Sequence, residues 1–366
     1  MKAYPTIIQN REESGDRVIV WIVPAVSVAS ALLEKPIKLL SSIGPFKKSE
    51  FSSITQLPNY AITKLKVISD HPITRSPDDP ILRVTLIGAG NLAHALGPAL
   101  RAAGYRINAV AGRKLSASRR RALALAKKLK TKAVPLEDVE IVSDIVWLCQ
   151  TDDALAETAR HLSQRGGWQG KIVFHSSGAL TSDVLSPLRR AGAVTASLHP
   201  MMTFVAGSIP SMEGVPFAVE GDPRAITVAR QVAKALKADI FEIKKNAKVL
   251  YHALGSFSSP MLIATLVTAE RVGRAAGLSQ KQLQKIMAPI LRQTLQNYLR
   301  GGAAAAFSGP VKRGDVNTIR GHLQQLAKIP EASEVYRALI QSALRDLPSR
   351  NKVELSELLN NSIKIR

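Results

Sequence analysis

The chain has 366 residues, 46% hydrophobic and 21% charged. That is too long for one small core and has the balance of a soluble globular protein with two domains and an extension, not of a disordered or fibrous chain. The net charge of +22 admits anionic partners, but aromatics are only 5% and do not interleave with the basic residues, so nucleic acid is an unlikely partner. One cysteine, Cys149, excludes an internal disulfide, which fits a reducing, cytoplasmic setting, and His and Cys do not cluster at metal-ligand spacings, so no metal is expected.

Residues 1–80 hold scattered prolines, weak periodicity and an apolar run from Val18 to Leu33 interrupted by Pro24. That run is short of the roughly 20 residues a membrane span needs. Glu12, Glu13 and Asp16 spoil the positive start of an export signal. The segment reads as a poorly ordered extension, or as translation from a start upstream of the true one. From Ile81 to Ile87 the pattern is that of a buried strand. Helical spacing follows from Leu92 to Ala103, then a strand at 107–111, a basic helix at 116–129, and strands at 141–150, 171–175 and 193–198. Further strands are expected at 217–220 and 240–243, with a helix opened by Asp222-Pro223 between them. Alternating strands and helices imply βαβ units and a mostly parallel sheet. After Lys244 the spacing is helical over 246–276, 279–300, 315–327 and 331–347, with Gly277, Gly301-Gly302, Ser308-Gly309-Pro310 and Pro330 as breaks, and a charged tail follows.

Between the first strand and first helix lies Gly88-Ala89-Gly90-Asn91-Leu92-Ala93, which reads G-x-G-x-x-A. Gly88 suits the tight turn, Gly90 lets a pyrophosphate approach the backbone, and Ala93 lets helix and strand pack closely. The helix N-terminus offers free N–H groups and the positive end of its dipole. Gly88, Gly90, Asn91 and Leu92 are therefore the expected pyrophosphate contacts of a Rossmann-like domain. At the end of the second strand, where an NAD site places a carboxylate, the chain reads Ala111-Gly112-Arg113-Lys114-Leu115-Ser116. Twelve Lys or Arg and no Asp or Glu lie between residues 81 and 136. Arg113 can grip a 2′-phosphate with two hydrogen bonds, Lys114 adds charge and Ser116 or Ser118 a hydroxyl, so NADP(H) is favoured over NAD(H).

Ligands of open α/β sheets lie beyond the carboxyl ends of the strands. Three segments end there: Gln150-Thr151-Asp152, His175-Ser176-Ser177-Gly178 and His199-Pro200-Met201. Thr151 is a candidate cofactor contact. Asp152 reads as a helix cap in preference to a catalyst. Ser176 and Ser177 either bond the nicotinamide amide or cap a helix. His199 is a candidate proton donor, or a histidine that holds its loop. Lys248 and His252, four apart on one helical face, are candidates for the acid beside a carbonyl or imine, or else a polar stripe.

Gly88-Ala89-Gly90-Asn91, His175-Ser176-Ser177-Gly178-Ala179-Leu180, Ser197-Leu198-His199-Pro200-Met201, Tyr251-His252-Ala253 and Ser308-Gly309-Pro310-Val311-Lys312-Arg313-Gly314-Asp315 together resemble an uncharacterised bacterial family. Its members join a Rossmann-like NADP-binding domain to a helical "domain of unknown function 2520". They are similar to pyrroline-5-carboxylate reductase, ketopantoate reductase, 6-phosphogluconate dehydrogenase and the F420-dependent NADP oxidoreductases. The resemblance spans about residues 81–345. It implies a cofactor cleft between the domains, dimerisation through the helical domain and, by analogy only, F420. The related dehydrogenases carry a lysine and, four residues on, an amide; here Lys248 is followed by His252, and Ser259-Pro260 stands where the family would have Asn.

The expected architecture is α/β: an extension at 1–80, a Rossmann-like NADP-binding domain at 81–212 whose sheet extends as far as 243, a C-terminal domain at 213–348 that is helical from 244, and a tail at 349–366. The expected function is hydride transfer between NADP(H) and a small carbonyl, imine or hydroxy acid in an interdomain cleft of a homodimer away from membranes. The alternative is a regulator that binds NADP(H) without turnover.

Overall fold

The computed structural model describes residues 82–114 and 116–361, together with the strand backbone at three places before them. The chain divides into two units, 1–80 and 81–366. In the first, β1 (Thr6–Arg11), β2 (Arg17–Pro24) and β3 (Tyr60–Leu65) form an antiparallel sheet in the order β1-β2-β3. Part of the apolar run, up to Pro24, is thus a strand; its remainder, and the other expectations for residues 1–80, lie outside the described residues.

The second unit is built on eight strands: β4 (Arg83–Ile87), β5 (Arg106–Gly112), β6 (Lys132–Pro135), β7 (Ile145–Leu148), β8 (Ile172–His175), β9 (Val194–Pro200), β10 (Pro216–Gly221) and β11 (Asp239–Glu242). Their order is β11-β10-β9-β8-β7-β4-β5-β6, and every pairing is parallel except β9 with β10. Both faces are covered, which is why the strands read as continuous apolar runs. On one side α1 (Asn91–Ala102), α2 (Ser116–Leu129) and α5 (Pro223–Ala235) bury Leu96, Leu125 and Val232 with Leu86 and Val110. On the other α3 (Asp152–Ser163) and α4 (Ser186–Arg190) bury Leu155, Leu162 and Leu188 with Ile87 and Leu148. The chain leaves β4 toward β5 and β6, then returns to the other side of β4 as β7. That reversal puts a crevice between the ends of β4 and β7.

The sequence reading missed β6. Its four residues follow a basic helix without periodic warning, and it pairs at the sheet edge through Ala109–Gly112. Asp152 is a second correction: Thr151 occupies the cap position of α3, and Asp152 opens the helix itself.

The helical part follows β11: α6 (Lys248–Ser258), α7 (Pro260–Ala275), α8 (Gln280–Ala306), α9 (Pro310–Arg313), α10 (Val316–Leu326), α11 (Pro330–Asp346) and α12 (Lys352–Asn361). The helix expected over 246–276 is two, broken at Ser259 (φ −132°, ψ −82°), because Pro260 cannot continue a helix but can start one. The expected tail contains α12, where Leu355 and Leu359 are buried against Ile319, Leu323 and Ile340. Its apolar residues are few and charges flank them, so composition hid a helix stabilised by packing.

Candidate active site

The turn after β4 has the geometry that its glycines foretell. Gly88 has φ +98°, and a Cβ there would stand 3.0 Å from the Cys149 carbonyl oxygen. An L-side chain is excluded twice, by conformation and by the neighbouring strand end. Gly90 caps α1 with φ −76° and no side-chain cap, and a Cβ there would meet only the Cys149 oxygen at 3.8 Å. The space above Gly90 is left open, and the N–H groups of the first turn of α1 have no intrahelical acceptors. The Asn91 amide donates to the Phe204 carbonyl (3.0 Å), tying this turn to the loop after β9, and Leu92 packs on the core. Beside Gly88 the Gln150 side-chain oxygen is buried with no hydrogen-bond partner, the kind of atom that a bound donor normally satisfies.

At the end of β5 a cavity of about 180 Å³ is lined by Gly112, Arg113, Lys114, Arg119, Leu123 and Val134 among others. Arg113 and Lys114 are exposed there. The Ser118 hydroxyl accepts from the Arg113 backbone N–H (3.2 Å), holding the start of α2 under the turn. The Ser116 side chain lies outside the described residues.

The other strand ends form a drier arrangement. Thr151 is exposed, and its hydroxyl bonds Asp153, holding that carboxylate below its ordinary range. The Ser177 hydroxyl donates to Asp152 (2.8 Å) and accepts from the N–H groups of Ala179 (3.2 Å) and Leu180 (2.9 Å). A hydroxyl has no capacity beyond that, so Ser177 shapes its turn and has nothing left for a nicotinamide. The Ser176 hydroxyl has its proton committed, donating to the Leu198 carbonyl (3.1 Å), and accepts from the Trp147 indole (2.8 Å), which leaves it one acceptor site. His175 is fully buried between the Ser177 N–H on Nδ1 and the Thr181 carbonyl on Nε2; burial, with Lys248 nearby, lowers its pKa to about 3 and keeps it neutral.

His199, half-buried, stands 2.9 Å from the Tyr251 hydroxyl through Nδ1. Tyr251 and His252 both meet its ring edge-on, with centroids 5.5 and 6.0 Å away. Gly178 lies against both imidazoles: a Cβ would be 2.9 Å from His199 Nε2 and 2.5 Å from His252 Cδ2. Burial, then the charges of Lys248 and His252, pulls His199 down to about 4. Burial also pushes the Tyr251 phenol up to about 12, so it keeps its proton. His252 is exposed.

Lys248 does not face solvent. It is 0% exposed, and its ammonium donates to the Ser197 hydroxyl (2.5 Å) and the Ser177 carbonyl (3.1 Å), with Glu220 at 3.9 Å. Desolvation lowers its pKa to about 8, against the pull of Glu220 and Asp152. The structure therefore brings His199, His252 and Lys248 around one turn. Tyr251, Gly178, Glu220 and Gln150 carry no role that the sequence marks: Gln150, Gly178 and Tyr251 lie in recognisable segments, but nothing in sequence spacing pairs Tyr251 with a histidine 52 residues away.

Two family models match the chain: a Rossmann-like domain over residues 70–200 and a domain of unknown function (DUF2520) over residues 215–343. Among solved structures, a candidate NADP oxidoreductase of Bacteroides fragilis is 23% identical, with 71% of this chain and 97% of that one covered and a TM-score of 0.61. A Thermotoga maritima protein is 21% identical, with 76% and 99% covered and a TM-score of 0.57. The reductive aminase of Aspergillus terreus, solved with NADPH and ethyl-5-oxohexanoate, is 17% identical, with 77% and 100% covered and a TM-score of 0.53. At these identities what is shared is the fold. No curated protein matches the sequence.

Proposed function

We propose that this chain, a Rossmann-like domain joined to a DUF2520 domain, is an NADP(H)-dependent oxidoreductase that transfers hydride to or from a small carbonyl, imine or hydroxy acid. The observation that carries the reading is the end of β5: exposed Arg113 and Lys114 beside a cavity whose described lining holds no carboxylate, next to a glycine turn left open above Gly90. Arg113 and Lys114 would hold the 2′-phosphate, and the first N–H groups of α1 the pyrophosphate. The buried Gln150 oxygen awaits a donor of the sort that a ribose hydroxyl supplies. The NADPH complex of the fold-sharing reductive aminase supports the choice of coenzyme.

NADPH, when bound, supplies the hydride. At neutral pH His199 is uncharged; we assign the Tyr251 phenol as the donor to Nδ1, which puts the ring hydrogen on Nε2, the atom beside Gly178. A neutral imidazole held this way polarises a carbonyl or imine by hydrogen bonding. His252, exposed and also beside Gly178, would pass a proton from solvent. Lys248, sealed from solvent, has no direct path to a substrate.

The helical part presents an apolar face, with Leu250 77%, Phe257 75% and Leu299 80% exposed. The stretch Lys245–Ala275 is apolar and long enough to cross a membrane by length and composition. The break at Ser259 and the further exposed apolar side chains on α7 and α8 favour a second copy of the chain as their cover. The direct test of function is NADPH oxidation against a panel of imines, keto acids and 2-oxo acids. Turnover with one class, lost in His199→Asn, supports an oxidoreductase. Tight NADPH binding with no turnover on any of them supports the non-catalytic regulator.

A further inference from the structure

Lys248 is a buried cation that the proposed chemistry does not use. Residues two apart on a strand point to the same side, so Ser197 and His199 share one face of β9. Glu220 lies opposite Ser197, and Ala218 opposite His199, across the antiparallel pairing with β10. Lys248 enters this face from the first turn of α6. Its Nζ reaches the Ser197 hydroxyl, which itself donates to the Ser177 carbonyl (3.3 Å), and it reaches that carbonyl directly. Three segments, the end of β9, the turn after β8 and the start of α6, thus meet at one ammonium. Tyr251, one turn further along α6, bonds His199, and Gly178, next after Ser177, touches it.

We propose that Lys248 is a positioning residue: its ammonium locks the Ser177–Gly178 turn and β9 onto α6, and so holds the His199–Tyr251 pair toward the reacting centre. The assignment rests on the reading of His199 given above. Glu220 anchors the ammonium from the far side and is itself held by the Ser182 N–H (2.7 Å) and hydroxyl (2.8 Å). The groups that face His199 are Lys248, Tyr251 and His252 from α6 and His175 from β8, with Glu220 of β10 behind Lys248. Among these, Lys248 is the largest charge acting on His199 after burial itself. Proximity of a like charge disfavours imidazolium, so removing it must raise the pH at which His199 titrates.

The test follows the imidazole resonances of the full-length protein by NMR across pH, with His199 assigned from its loss in His199→Asn. Wild type should titrate His199 near 4. Lys248→Met should move that point up by about one unit. Because a lone buried Glu220 could unfold Lys248→Met, the double variant Lys248→Met/Glu220→Gln removes both charges together and should show a rise in the same direction, smaller because the Glu220 charge goes too. NADPH affinity, read by fluorescence, should stay within about twofold in either variant, since no Lys248 contact reaches the turn at Gly88. An unmoved His199 titration in both variants overturns the assignment. So does a tenfold loss of NADPH affinity, which would make Lys248 a cofactor contact. If wild type binds no NADPH the coenzyme reading fails, while the titration still decides the role of Lys248.

Discussion

The two ends of the proposed site are built by opposite means. The phosphate end, from Gly88 to Lys114, is local in sequence, open to solvent and cationic; its pieces belong to β4, α1 and β5. The reacting end joins β8, β9, β10 and α6 across 77 residues (175 to 252) and buries its charges, with Lys248 and Glu220 both almost inaccessible. A ligand's fixed dianion can be met by exposed guanidinium on a short loop. A group whose protonation must be set needs walls, and walls come from distant parts of the chain.

That contrast predicts separable defects. The largest effect belongs to His199→Asn, which should cut turnover on any substrate found by about a hundredfold or more, while NADPH affinity, measured by fluorescence titration, stays within twofold of wild type. Loss of coenzyme binding in this variant would merge the two ends and break the comparison. Next is Gly88→Ala. A side chain at φ +98° and 3.0 Å from the Cys149 oxygen should cost about 1–3 kcal/mol and weaken NADPH and NADH alike by about tenfold or more, because both carry the same pyrophosphate.

The third effect is one of pH on stability. His175 and His199 fall from 6.5 to about 3 and about 4 in the folded chain. The unfolded chain therefore binds more protons than the folded one below pH 6.5, so stability is present above that pH and drains away as pH falls toward 4. Each histidine contributes a slope of about 1.4 kcal/mol per pH unit in that window. His175→Gln should flatten the dependence of urea midpoint on pH between 6.5 and 4. An unchanged slope would mean that the histidine is charged in the fold.

The same contrast explains what could be read in advance. The glycine turn, the cations after β5 and the buried strands were legible because each depends on neighbours a few residues away: φ above zero selects Gly88, and apolar runs mark β4, β7 and β8. The reacting end yielded only its members. Lys248 and His252 were read as one face of a helix, and both do meet the turn at Ser177 and Gly178. But which of them is sealed and which is exposed depends on Glu220 and Ser197, which no helical spacing reveals. Whether Ser177 bonds a ligand or shapes its turn is open in the sequence, because its hydroxyl's three partners, Asp152, Ala179 and Leu180, meet only when the turn closes. Strand β6 and helix α12 were missed for the related reason that tertiary pairing, not propensity, stabilises them.

The proposed coenzyme preference rests on one guanidinium, that of Arg113 at the end of β5, which would select the phosphorylated coenzyme. Equilibrium binding of NADPH and NADH to wild type and Arg113→Ala tests it in a single titration series. A charge-assisted hydrogen bond contributes about 1.5–3 kcal/mol. NADPH should therefore bind wild type far more tightly than NADH, and Arg113→Ala should lose about 10- to 100-fold in NADPH affinity and almost none for NADH. Equal affinities in wild type, or a ratio that survives the loss of Arg113, would contradict it.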